Sequence, residues 1–136
     1  MSDAAKTLFP AVHANRASRA AGALLLIHAA VSAFLEVQVL SEREPLIVPV
    51  AILGVLALGL GLALLFRPIP ALCTVAAVLM LVDLIGAGPH ELANVASPNI
   101  GHAVFGVIAL LIIIAALAAS AVAAMTWRTG RNATRS

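Results

Sequence analysis

The chain has 136 residues, 62% of them hydrophobic and only 10% charged, with a mean hydropathy of +1.10. That is more apolar surface than a soluble domain of this size can bury, which excludes a soluble fold. The net charge of +2 comes without a basic run interleaved with aromatics, which excludes a nucleic-acid surface, and the single cysteine, Cys73, excludes an intrachain disulfide or a paired-cysteine metal motif.

Residues 1–19 place Leu8, Phe9 and Val12 among basic and small residues, with Pro10 in their midst. They read as a cytoplasmic segment, either a short interfacial foot or a free tail. Four stretches then approach or exceed the roughly 20 apolar residues a helix needs to cross the hydrocarbon layer. These are 20–40, 46–66, 70–86 and 98–127, followed by a basic cytoplasmic tail, 128–136. Val31-Ser32-Ala33 could pass as a leader cleavage site. Cleavage there would leave three spans with the new N-terminus outside, so the first segment is read as a retained span. Pro70 and Pro98 suit first helical positions, where no N–H is required, and Ser97 is a candidate N-cap. The Gly-Ala-Gly-Pro run at 86–89 reads as the end of the third span.

Lysine and arginine set the expected orientation. Lys6, Arg16, Arg19, Arg67, Arg128, Arg131 and Arg135 fall on one side, and only Arg43 falls on the other. The expected fold is therefore an all-α, integral membrane four-helix up-down bundle with both termini cytoplasmic and Trp127 at the inner interface. The run NIGHAVFG at 99–106 resembles small bacterial four-span proteins, which implies a bacterial plasma membrane. A run this short carries no function over.

Helices in lipid associate through close-packed small residues. Gly54, Ala57 and Gly61 form such a face on the second span. On the fourth, Gly106, Ala109, Ala116 and Ser120 follow the spacing of a left-handed seam. So many small residues also suggest a seam for self-association or for a larger membrane partner, besides contact with the lipid bilayer.

Ionisable groups within the bilayer are costly and point to function. Counted from the span ends, Glu36, Asp83 and His102 come from three helices to one level, roughly 4–6 Å inside the outer boundary. The expectation is an outer-leaflet cluster able to hold a proton or an ion. The competing reading is that each reaches nearby water on its own. His28 and Ser32 share a face with Glu36 and form a candidate relay toward the membrane centre, or else a set of interhelical hydrogen bonds. His90 and Glu91 lie in the expected external loop and are candidate outer contributors.

No catalytic motif is present, so no catalytic residue is assigned. The donor types suit a divalent metal without forming a metal motif, and the metal stays unknown. No cofactor is required by the sequence. His28 and His102 differ in expected depth by roughly 12 Å, too far to ligate one haem iron from both sides. Three functions follow from this reading. One is a non-enzymatic accessory subunit packing through Gly/Ala faces in a homo-oligomer or larger complex. A second is a proton- or metal-ion-linked transporter or channel. The third is a haem- or quinone-binding redox subunit.

Overall fold

The computed structural model describes the backbone of residues 3–42 and 47–133, and the side chains of 14–34, 48–130 and Asn132. Within those residues the chain forms four helices joined by short connections: α1 Asp3–Glu42, α2 Ile47–Phe66, α3 Pro70–Val95 and α4 Ile100–Ala133. All four helices contain a stretch long and apolar enough to cross a membrane, with mean hydropathies of 1.4, 2.6, 2.2 and 2.9 in chain order. Helix is the natural outcome, because lipid offers backbone N–H and C=O groups no partner and each helix satisfies its own. Large apolar side chains such as Val55, Phe66 and Ile85 stand well exposed on the outside, as suits a surface facing acyl chains. The chain is thus a small membrane protein built as a four-helix bundle.

The helix ends explain the boundaries. Ile69 is extended and lacks a side-chain cap, and Pro70 takes the first turn, where its missing N–H costs nothing. Asn99, rather than Ser97, caps α4. Its Oδ1 accepts from the N–H of Gly101 at 2.9 Å and of His102 at 3.4 Å. Ser97 instead supports the cap, its Oγ accepting from the Asn99 N–H at 3.2 Å. At the other end of the chain α1 is continuous from Asp3 through Pro10.

The third helix differs from the expected span. It does not stop at Gly86 but continues through Pro89 to Val95. Glycine and proline are tolerated inside membrane helices, because ending the helix in lipid would strand more backbone groups than proline does. The consequence is large for the site: Asp83 sits at the middle of α3 rather than near its end.

Around the bundle α1 packs on α2 and α4, and α3 packs on α4, while α2 barely touches α3. Two close approaches fix the main contacts. At the α1–α2 crossing the backbones meet at Gly22 and Gly61. A Cβ on either glycine would lie 2.9 Å from the carbonyl oxygen of the other. At the α3–α4 crossing, a Cβ on Gly106 would lie 2.7 Å from the Glu91 carbonyl oxygen. Ala57, Ala109, Ala116 and Ser120 are buried between helices, and Gly54 approaches the Ser32 Cβ. These small-residue faces are used inside the single chain.

Candidate functional site

One end of the bundle is a dry plug. Ala21, Leu25, Leu64, Cys73, Ala76 and Met80 are almost fully buried there, and a polar clasp holds the three helices α1, α3 and α4 together. Ser18 Oγ donates to the Ala14 carbonyl at 2.7 Å and lies 3.3 Å from Cys73 Sγ. Trp127 Nε1 donates to the same Ser18 Oγ at 3.1 Å. The sequence suggested Trp127 as an interfacial ring, and did not reveal that Ser18 joins it to Cys73.

Ten residues farther along both α1 and α3, about 15 Å at 1.5 Å per residue, His28 and Asp83 meet. His28 Nε2 lies 3.1 Å from Asp83 Oδ2, and the two side chains are only 7% and 5% exposed. Ser32, one turn on from His28, sets its Oγ 3.4 Å from the same Nε2. Asp83 Oδ2 nonetheless receives no aligned hydrogen bond. A hydrocarbon core is about 30 Å thick, so with the clasp at one interface the pair lies near its centre.

The pair opens onto a cavity of about 280 Å³. Val50 and Leu53 of α2 and Ala109 and Ile113 of α4 supply apolar walls, and Gly86 and Ala87 of α3 keep the space clear. α2 hardly touches α3, and residues of both helices line this space. Farther from the clasp His90 and Glu91 also line it. Glu91 is 3% exposed and its Oε2 accepts from Asn94 Nδ2 at 3.2 Å, while His90 is exposed. Both stand on α3 rather than in a loop, because the helix runs on past Pro89. Beyond them Phe34 of α1 meets Phe105 of α4, ring centroids 6.1 Å apart.

The expected outer cluster is thus distributed differently. Asp83 is joined to His28, which in turn contacts Ser32, the two residues read as a relay, and not to His102. His102 is exposed in the first turn of α4. The side chain of Glu36 lies outside the described residues. Among the described residues, no group of three His, Cys, Asp or Glu side chains could hold a metal ion. Compared with family models, curated proteins and solved structures, the chain matches none.

Proposed function

We propose that this chain is a proton-linked membrane transporter, with His28 and Asp83 as its proton site and the adjoining cavity as its solute site. The observation that carries this reading is the 3.1 Å contact between a buried histidine and a buried carboxylate inside an apolar cavity. A lone carboxylate at the membrane centre costs about 2.5–3.5 kcal/mol even on the lenient scales. One proton, on either partner, leaves the pair neutral overall. Removing it strands a charge in hydrocarbon unless something replaces it. The pair is therefore suited to giving up its proton only in exchange for a solute, which is the elementary step of coupled transport.

The bundle is polar on one side of the pair and dry on the other. Ser32, His90 and Glu91 lie toward one end, and the clasped plug fills the other. This suits one state of an alternating carrier and not an open channel. The clasped end carries Arg16, Arg19, Arg67 and Arg128 close by in sequence, which supports an up-down topology with both termini in the cytoplasm and the cavity facing outward. The accessory-subunit reading rested on free small-residue seams. Gly22, Gly61 and Gly106 are consumed in contacts within the chain, while Gly59 and Gly86 stay open. Of the two histidines weighed as haem ligands, His28 already turns its Nε2 to Asp83 and Ser32.

The test is solute-driven proton movement. Liposomes carrying the purified protein and an enclosed pH dye are challenged with a panel of organic cations, organic anions, sugars and neutral amphiphiles. At least one class should drive protons out through the wild type, and Asp83→Asn should abolish the response. Silence of the wild type to every class contradicts the reading.

A further inference from the structure

Resting on that transport reading, we infer that the solute is a small organic cation with an apolar body, exchanged one-for-one for the proton of the His28–Asp83 pair. The charge inventory of the cavity carries the inference. From α3 it receives Asp83 and Glu91, both buried, and the exposed His90; from α1 it receives His28 and the neutral Ser32. The residues contributed by α2 and α4 are uncharged: Pro49, Val50, Leu53, Ala109 and Ile113. Among the described residues, no lysine or arginine lines the cavity. With its histidines neutral and the proton of the pair gone, the described lining holds two carboxylates and no fixed positive charge, a state that repels anions and attracts cations.

Asp83 Oδ2 adds a second, independent observation. Its side chain is 5% exposed, Asp83 lines the cavity, and although His28 Nε2 lies 3.1 Å away the atom receives no aligned hydrogen bond from the described residues. Buried acceptors of this kind are seldom left so, because the missing partner costs about 1–3 kcal/mol. An ammonium beside Oδ2 would supply the opposite charge. The remaining wall is mostly apolar and would face the hydrocarbon part of the same molecule, and about 280 Å³ suits a body of roughly one ring.

Neutrality then fixes the exchange. The exchange starts from a His28–Asp83 pair that holds one proton. When the cation settles against the Asp83 carboxylate, that proton leaves to water and His28 remains as the neutral imidazole. The site's net charge is unchanged. Cation and proton compete, so binding strengthens as pH rises, by up to about tenfold per unit while the site is protonated beforehand.

Benzyltrimethylammonium is the appropriate probe, because its charge does not vary with pH, and neopentylbenzene is its neutral carbon isostere. Titration calorimetry of the wild type in weakly buffered detergent, with a pH electrode alongside, should show about one proton released per cation bound. Affinity should rise toward tenfold per pH unit, and neopentylbenzene should release no proton. Asp83→Asn should weaken cation binding at least tenfold and Asp83→Glu should restore most of it. Equal binding of the neutral isostere, or cation binding without proton release by the wild type, overturns the inference whatever the variants do. If the liposome panel reveals proton movement driven only by anions or neutral solutes, the cation assignment fails while the transport reading stands. If no class moves protons, both fail.

Discussion

Ser18 and Ser120 are both fully buried hydroxyls on membrane helices, yet they stand in opposite situations. Ser18 serves three neighbours on three helices, whereas Ser120 Oγ has no hydrogen-bond partner among the described residues. Ser18→Ala removes the acceptor of the Trp127 indole N–H and should destabilise the bundle by about 1–3 kcal/mol. Ser120→Ala removes an unsatisfied polar atom from a packed seam and should be neutral or stabilising by up to about 1 kcal/mol. Denaturant titration in mixed micelles, followed through the single tryptophan, separates the two. A larger loss for Ser120→Ala than for Ser18→Ala would contradict the clasp. The sequence marked Ser120 as a packing residue and passed over Ser18, because an isolated serine near an arginine-rich segment carries no periodic signal. Its role exists only once Cys73 and Trp127 converge on it from distant parts of the chain.

At the scale of helices, backbone contact matters more than side-chain interdigitation. Gly61→Ala would set a Cβ 2.9 Å from the Gly22 carbonyl oxygen, and Gly106→Ala would set one 2.7 Å from the Glu91 carbonyl oxygen. Neither backbone can yield without parting the helices, so each should cost about 1–3 kcal/mol. Gly59→Ala is the control. Nothing lies within 4 Å of its added methyl, and better helix propensity should make it neutral or stabilising by up to about 1 kcal/mol. The same denaturant titration ranks the three, and equal effects would show that the glycines are not close-approach points. The existence of four membrane helices was legible from apolar length alone. The end of α3 was not. Gly-Ala-Gly-Pro is a stop signal in water, where freed backbone groups find solvent, and it is a tolerated interruption in lipid. Misplacing that end by about nine residues moved Asp83 by roughly 13 Å at helical rise, from mid-membrane to the expected rim, and so turned it from His28 toward His102.

For the molecule as a whole, charge and polarity divide the bundle into two halves. The clasped half is dry and flanked by arginines; the other half holds the cavity and its acidic groups. A cysteine placed at Ser136 should resist an impermeant thiol reagent in intact cells, and one at Ser97 should react. The reverse pattern would invert the proposed orientation. The titratable residues near the membrane were visible in the sequence, but their pairing required knowing which helices adjoin and at what height. The decisive measurement is a double-mutant cycle on solute-driven proton movement, using His28→Gln, Asp83→Asn and the double variant in liposomes. If the two side chains share one proton and act as a unit, each single change should abolish coupled movement and the double should be no worse than either, a strongly non-additive result. Independent, additive losses, or coupled movement that survives either single change, would contradict a His28–Asp83 proton site.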